Sequence, residues 1–301
     1  MELPNVDKVI SIEPASTFKE TLSELSSYSN DRLSYIEKDP YDWNVYTYLD
    51  NEGYFNTIDH QPWLNGMFIY KQSNQLLKQL HFIEHQNFAY LIQVPATVYG
   101  EQLVGQFFNC MICRSWLFNK GRLNMGMLIN IPSYERLAYP AGHPERGRIS
   151  VIREATASIE ALIDEDELLP QFERLYPQTR QLTKSSKNNS KLARNLNYIG
   201  VKFTPHSDII PNDESLDAWE FVTRQLYITR RTSLKKSLKH LAVNADVALS
   251  RPLEEKGINL NKYVRELTLE EVAIVVDVFL KWPFKPEILF RDDVDDKYSK
   301  E

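Results

Sequence analysis

The sequence predicts an α/β protein with a parallel, doubly wound sheet followed by a small helical domain. Short apolar runs alternate with helix-like segments through the first half of the chain, which is typical of a parallel sheet. One run, residues 88–95, is almost continuously apolar, as in a strand covered on both faces. From Leu216 onward, apolar side chains recur at helical spacing instead. We therefore expect the sheet first and the helices second.

Two strand–helix pairs are predicted to open the chain. Strands over residues 9–12 and 33–38 are each followed by a segment with a helical pattern. The first strand ends at Glu13, and Pro40 stops the second because proline donates no ladder hydrogen bond. Ligands gather at the carboxyl ends of strands in open α/β sheets, so Asp39, which follows the second strand, marks a candidate site.

The segment from Asp39 to Trp43 has three interpretations. It follows a strand end with a carboxylate and then with two aromatic side chains, Tyr41 and Trp43. The carboxylate would accept hydrogen bonds from a small molecule, whereas the rings would stack nucleobases at roughly 1–3 kcal/mol per base. The third interpretation is a helix cap beside two partly buried rings.

The remaining elements divide the chain into domains. Strands over residues 88–95 and 125–131 enclose a long predicted helix over residues 97–118. Residues 174–202 contain no acid and are typical of a flexible basic loop, and a capping box at Thr268 opens a late helix. The predicted parts are an α/β domain over residues 1–207, a helical domain over 208–281 and a tail over 282–301.

Composition limits the classes of function. The formal net charge of the 301 residues is −6, so a nucleic-acid role must depend on local patches. No apolar run approaches the ~18–20 residues that cross a bilayer, and no Arg-rich transit peptide is expected at the amino terminus. Cys110 and Cys113 are too few for a disulfide framework. They indicate a reducing compartment and are interpreted as two small core residues rather than as a redox pair.

Metal and nucleotide motifs are weak. His81–His85 match the H-x-x-E-H pattern of certain zinc sites, but no third ligand is marked out, so we expect no metal. Neither G-x-G-x-x-G nor the P-loop pattern occurs, so a nucleotide pyrophosphate has no obvious cradle.

Basic side chains are concentrated in the second half of the chain. Residues 222–244 contain no acid, and unbalanced positive charge over that length predicts phosphate binding, with a merely solvated surface as the alternative. A smaller basic set lies near His143. The predicted phosphate contacts are Arg146, Arg148, Arg153, Arg224, Arg230, Arg231, Lys235, Lys236 and Lys239.

Three separated parts of the chain resemble one known family. These parts are Lys38–Trp43, Trp219–Leu226 with Arg230–Thr232, and Lys281–Leu289. Together they resemble the fungal mitochondrial transcription factor B family, the promoter-specificity factors of the single-subunit mitochondrial RNA polymerase. That family is similar in turn to the rRNA adenine N6-dimethyltransferases, in which a Rossmann-like domain that binds S-adenosylmethionine precedes a helical domain.

The resemblance also implies three vestigial cofactor contacts. Glu13 falls where the family's acid contacts the cofactor ribose, Asp39 where an acid contacts the adenine, and Gln93 at the first position of an Asn-Leu-Pro-Tyr motif. Here Gln93 replaces the Asn, so the side-chain amide reaches further. Ala96 replaces the Tyr, so the ring that grips a flipped adenine is lost. The family's first strand and Gly-rich turn are expected just before Asn5 and are not found, which we interpret either as loss of that segment or as a start assigned at an internal Met. We therefore expect no catalysis and no bound cofactor.

On this resemblance, the chain is expected to be a non-catalytic initiation factor in the mitochondrial matrix. Its partners would be the mitochondrial RNA polymerase and promoter DNA, with no membrane. Tyr41 and Trp43 would stack bases of the opened non-template strand. The acidic tail would contact the polymerase or act in autoinhibition. The alternatives are an rRNA adenine N6-dimethyltransferase that uses S-adenosylmethionine, and an RNA-binding protein that acts without the polymerase.

Overall fold

The computed structural model describes residues 6–55, 85–175, 197–208, 211 and 215–286. The chain forms two compact units, Met1–Met67 and Phe68–Glu301. The sequence predicts a domain boundary near residue 207, which does not coincide with the boundary between these two units. It stays a prediction.

The first unit is built on a two-stranded parallel sheet. Strand β1 (Val9–Ile12) pairs with β2 (Leu33–Ile36). Helix α1 (Ser16–Tyr28) connects the two strands, and α2 (Asn44–Asn51) follows the second. Both predicted strand–helix pairs are thereby confirmed. Among the described residues of this unit, the buried apolar side chains are Ile36, Val45, Tyr46, Leu49 and Phe55.

The second unit contains a mixed sheet of four described strands in the order β3-β4-β6-β5. Strand β3 (His85–Gln93) runs parallel to β4 (Arg122–Asn130), whereas β6 (Tyr198–Pro205) runs antiparallel to both β4 and β5 (Ala157–Ile163). The prediction of a fully parallel sheet is therefore wrong here. The two parallel strands are the ones that the sequence pattern identified.

The sequence pattern does not predict strands β5 and β6. For β6 the reason is that its charge pattern resembles that of a loop. Lys202 falls within the predicted basic loop, yet it lies in β6, and its Nζ is 3.6 Å from Glu160 Oε2 on β5. Val201 and Phe203 on either side of it are buried. The carboxyl end of the predicted basic loop is therefore a central strand of the sheet.

The long helix after β3 is shorter than predicted. Helix α3 (Val98–Cys113) begins where the Thr97 side chain accepts a hydrogen bond from the Gly100 N–H, and it ends as Arg114 adopts a left-handed conformation with φ of 48°. Cys110 and Cys113 both lie on this helix as free cysteines. Cys113 is exposed, so the interpretation of two core cysteines is wrong for that residue.

The described residues of the second unit form eight further α-helices: α4 (Ile131–Ala138), α5 (Arg148–Thr156), α6 (Gln171–Arg174), α7 (Leu216–Ile228), α8 (Leu234–Ser237), α9 (Ala245–Ala248), α10 (Ser250–Glu255) and α11 (Leu269–Lys281). Side chains of α5 and of α7 to α11 form one apolar core. Trp219 of α7 and Phe279 of α11 are fully buried in this core, and Val151 of α5 belongs to the same cluster. The capping box at Thr268 is confirmed, because Thr268 and Glu271 exchange side-chain-to-backbone hydrogen bonds at 3.0 and 3.3 Å.

Candidate nucleic-acid interface

The turn from Asp39 to Trp43 is held by its own carboxylate and by α2. Asp39 Oδ1 accepts a hydrogen bond from the Tyr41 N–H at 2.9 Å, which forms an Asx turn. The Tyr46 hydroxyl of α2 donates to the Pro40 carbonyl at 2.8 Å. Asp39 thus has a local structural role, and the backbone that carries the two aromatic side chains is fixed at both ends of the turn.

The Tyr41 and Trp43 side chains are half-buried. A ring that is partly covered by its own unit loses little rotational freedom when a base stacks on its open face, so such a ring is a suitable stacking platform. Tyr48, one turn into α2, is more exposed, and Lys38 Nζ lies 4.5 Å from the centre of its ring. Base stacking at this turn stays a prediction.

Glu13 also bonds locally. Its Oε1 accepts the Ala15 N–H at 2.8 Å just before α1, and its carbonyl accepts the Tyr35 hydroxyl of β2 at 3.2 Å. The carboxylate therefore orients the entry into α1. A contact with a cofactor ribose, as the resemblance implies, stays a prediction.

Gln93 lies at the carboxyl end of β3 and bonds to Tyr198 at the start of β6. The Tyr198 hydroxyl interacts with the Gln93 side chain and with the Ala96 backbone, and Tyr198 is 7% exposed. Burial raises the pKa of this hydroxyl above its ordinary value, and the two hydrogen bonds partly oppose the shift. Ala96 supplies no ring against a target adenine, and the expectation of no catalysis stays a prediction.

Arg146 does not fit the predicted phosphate contact. Its side chain is 0% exposed, and its Nη2 donates to Glu154 Oε2 of α5 at 2.7 Å. Glu154 pairs with one nitrogen of this enclosed guanidinium, while Nε and Nη1 are buried without a hydrogen-bond partner among the described residues. The group cannot reach a phosphate without leaving the core. For Arg146 the prediction is therefore wrong, and the residue is part of the fold.

Arg148 and Arg153 are half-buried and also bond within the protein. The Arg148 guanidinium pairs with Glu220 of α7, and its Nε donates to Thr223 Oγ1 at 3.3 Å. Arg153 Nε donates to the Leu137 carbonyl at the end of α4 at 3.0 Å, and burial lowers the pKa of this guanidinium. These contacts hold α5 against its neighbours, while phosphate binding by either residue stays a prediction.

Arg230 and Arg231 converge on one carboxylate, which belongs to Glu145. Arg230 Nη2 donates to Glu145 Oε2 at 2.7 Å and Arg231 Nη2 to Glu145 Oε1 at 2.5 Å. Arg230 Nη1 also donates to the Glu145 carbonyl at 3.1 Å. Burial raises the pKa of Glu145, but the two guanidinium groups outweigh it and leave this pKa below its ordinary value.

The basic segment begins at these arginines and continues through α8 to Lys239. We define it as Arg230, Arg231, Lys235, Lys236 and Lys239. The three lysines are exposed, and neither Lys235 nor Lys236 forms an ion pair with any residue that the structure describes. Lys239 Nζ lies 3.7 Å from Asp246. Arg224, further back on α7, is half-buried. Five of the nine predicted phosphate contacts therefore lie together on this segment.

Sequence patterns gave no indication of two residues that matter at these sites. Glu145 is 85 positions from Arg230, and Tyr198 lies in a strand whose charge pattern is that of a loop. No local motif links Glu145 to Arg230 or Tyr198 to Gln93. A weak signal exists only for Glu145: residues 222–244 contain no acid, so their cations must pair with an acid elsewhere in the fold or with a ligand.

Several predictions lie outside the described residues. These are His81–Glu84 of the zinc pattern, most of the basic loop (176–196) and the acidic tail (287–301). Among the residues that are described, no group of three or more His, Cys, Asp or Glu side chains could hold a metal. Nor does that part of the chain contain a candidate membrane-spanning helix.

Comparisons with known proteins agree on family and fold. A family model described as Ribosomal RNA adenine dimethylase matches residues 3–281. Mitochondrial transcription factor 1 of Saccharomyces cerevisiae is 24% identical over 286 residues, covering 92% of this chain and 74% of that protein. The protein of the same name from Saccharomyces paradoxus is 26% identical over 289 residues, with the same coverage.

A solved structure confirms the predicted fold. The dimethyladenosine transferase of Plasmodium falciparum matches 89% of this chain and 80% of its own, with a TM-score of 0.52 and 12% identity. At that identity the likeness shows the fold alone. It is the Rossmann-like methyltransferase fold, here with a mixed sheet.

Proposed function

The chain belongs to the ribosomal RNA adenine dimethylase family, and within that family we propose that it is a mitochondrial transcription initiation factor rather than a methyltransferase. The observation that carries the proposal is the match of 92% of the chain to proteins named Mitochondrial transcription factor 1. We place the protein in the mitochondrial matrix, with the single-subunit mitochondrial RNA polymerase and promoter DNA as its partners.

In this role the protein helps to melt the start site and retains the opened strand. Tyr41 and Trp43 stack unpaired bases of the non-template strand, and the Asp39 turn keeps their backbone in place before DNA arrives. This prearranged turn supports the proposal, because the backbone that carries the two rings needs little ordering when a base binds.

The basic segment neutralises phosphates of the same DNA. Its lysines are exposed, and Lys235 and Lys236 have no ion-pair partner among the described residues. Contacts to phosphate carry no sequence information, so the segment contributes affinity and orientation. Promoter selection then depends on the bases that the polymerase and this protein recognise together.

Methyl transfer is the second candidate, because the family model spans residues 3–281. Two features disfavour it. Gln93 has a longer side chain than the Asn of the methyltransferases and contacts Tyr198, and Ala96 stands where they carry a tyrosine, so a flipped adenine would find no stacking ring in these residues. We therefore propose that the protein works without S-adenosylmethionine.

One paired experiment separates the two candidates. Run-off transcription from a mitochondrial promoter is measured with purified mitochondrial RNA polymerase, with and without this protein. In parallel, transfer of radiolabelled methyl groups to small-subunit rRNA is measured. We expect promoter-specific transcripts to depend on the protein and methyl incorporation to stay at background. Unchanged transcription would refute the initiation role, and methylated adenine would establish the second candidate.

The stacking role has its own test. The double substitution Tyr41→Ala/Trp43→Ala should reduce promoter opening, measured by the fluorescence of 2-aminopurine placed in the non-template strand. With roughly 1–3 kcal/mol per stacked base, a loss of about tenfold or more in the opening equilibrium is expected. Tyr28→Ala, at the exposed end of α1, is the control. Equal opening by the double variant and the control would remove these residues from the mechanism.

A further inference from the structure

The Glu145 carboxylate occupies a position that is built for an oxyanion. One oxygen accepts from Arg230 at 2.7 Å and the other from Arg231 at 2.5 Å. Arginine always carries its charge and presents its donors in a planar fork, which matches carboxylate and phosphate oxygens equally well. Two such forks that meet at one anion form a preformed phosphate site, and a residue of this chain already fills it.

The site is open to solvent. The side chains of Arg230 and Arg231 are 31% and 62% exposed, and that of Glu145 is 48% exposed. Ion pairs at such exposure contribute little to stability, so another anion can replace the carboxylate at small cost. A nucleic acid has an advantage over a single ion, because its neighbouring phosphates are held by the other cations of the basic segment.

The loop that carries Glu145 is anchored without the help of its carboxylate. The Gly142 N–H donates to the Arg265 carbonyl at 2.9 Å, and the rings of Tyr139 and His143 stack with centroids 3.9 Å apart. Arg146, which follows Glu145 in the sequence, is buried and paired with Glu154. Departure of the Glu145 side chain therefore needs only a rotamer change and leaves the backbone of the loop in place.

We propose that Glu145 is an internal competitor of nucleic-acid phosphate, whose carboxylate must leave Arg230 and Arg231 before a backbone phosphate can bind there. This inference rests on the proposed function, which assigns the two arginines to phosphate. Its consequence is a lowered affinity for any nucleic acid. Nucleic-acid binding is then favourable only where contacts with several phosphates, or with the polymerase and promoter together, offset the loss of the two Glu145 ion pairs.

The test compares the full chain with its Glu145→Gln variant for binding to a fluorescein-labelled single-stranded oligodeoxynucleotide, by fluorescence anisotropy at several salt concentrations. Removing an exposed ion pair should tighten the dissociation constant by about twofold to fivefold. The slope of log Kobs against log salt should steepen by about 0.7 for each phosphate that becomes newly neutralised.

A matched control removes the same charge elsewhere in the same unit. Glu255 pairs with Arg251 across one turn of α10, and Glu255→Gln should leave affinity and slope almost unchanged. In an Arg230→Ala/Arg231→Ala background, Glu145→Gln should not tighten binding. Unchanged or weaker binding by Glu145→Gln refutes the competitor role. So does an equally large tightening in Glu255→Gln, or a tightening that persists without the two arginines.

The outcomes also separate this inference from the proposed function. If promoter-specific transcription fails while Glu145→Gln still tightens binding through the two arginines, the initiation role is wrong and the phosphate site stands. If transcription depends on the protein but Glu145→Gln has no effect on binding, the initiation role stands and Glu145 is a structural ion-pair partner.

Discussion

The arginines on and before α5 and the basic segment after α7 carry the same charge but lie in different surroundings. Arg146 is 0% exposed and paired with Glu154, whereas Lys236 is exposed and forms no ion pair with any described residue. Both sets were predicted to bind phosphate. The difference shows that the fold, and not the clustering of cations in the sequence, decides which cations are buried in ion pairs and which stay exposed.

Arg230 and Arg231 are intermediate between these two extremes. They are accessible like the lysines, yet they are paired with Glu145 from a distant part of the chain. A basic residue can thus be buried in an ion pair, exposed without one, or exposed and paired. Substitutions in each of these three groups test this division.

Arg146→Ala should lower the free energy of unfolding most. Breaking a fully buried ion pair costs about 3–5 kcal/mol, and because the Glu154 side chain is 34% exposed we expect about 2–3 kcal/mol. Urea unfolding monitored by circular dichroism measures the loss. Affinity for single-stranded DNA per folded molecule should not change. If the variant unfolds like the wild type but binds DNA more weakly, Arg146 is a phosphate contact and not part of the core.

Arg148 and Glu220 should couple more weakly, since about a third of each side chain is exposed. A double-mutant cycle with Arg148→Ala and Glu220→Ala should give an interaction free energy of about 1 kcal/mol. The measurement is again urea unfolding of the two single variants and the double variant. Additive losses would mean that the pair does not hold α5 against α7.

Lys235→Ala/Lys236→Ala should change the free energy of unfolding by no more than about 0.5 kcal/mol, because both side chains are exposed and unpaired among the described residues. The same variant should bind DNA more weakly, with the salt slope shallower by about 0.7 for each phosphate of a single strand that is no longer neutralised. Lys281→Ala, which removes an exposed lysine at the end of α11, is the control. An unchanged slope would mean that the basic segment is only a solvated surface.

The smallest effect is expected from pH. The pKa of Glu145 is below its ordinary value in the folded protein, so its ion pairs stabilise the fold above the ordinary carboxylate pKa and are lost as the pH falls through the folded value. Wild type should therefore be slightly more stable than Glu145→Gln at neutral pH, and the difference should vanish in acid. Parallel stability curves across that range would show that the ion pairs do not contribute.

The local patterns were sufficient for some elements. The strand–helix pair ending at Asn51 and the capping box at Thr268 depend on residues within a few positions of one another, and both are present. Strand β6 was missed because Lys202 made it resemble a loop, and its partner Glu160 lies in a different strand. A pattern in one segment cannot show which charges another segment will supply.

The sequence by itself determined the Rossmann-like class, the order of sheet and helices, and the departure from methyltransferase residues at Gln93 and Ala96. Only the tertiary structure decided which cations are exposed, because burial and ion pairing depend on contacts between distant segments. It placed Arg146 in the core, Tyr198 against Gln93, and Glu145 between Arg230 and Arg231. Each of these contacts joins side chains that no short-range spacing rule relates, so no local pattern in the sequence could have shown them.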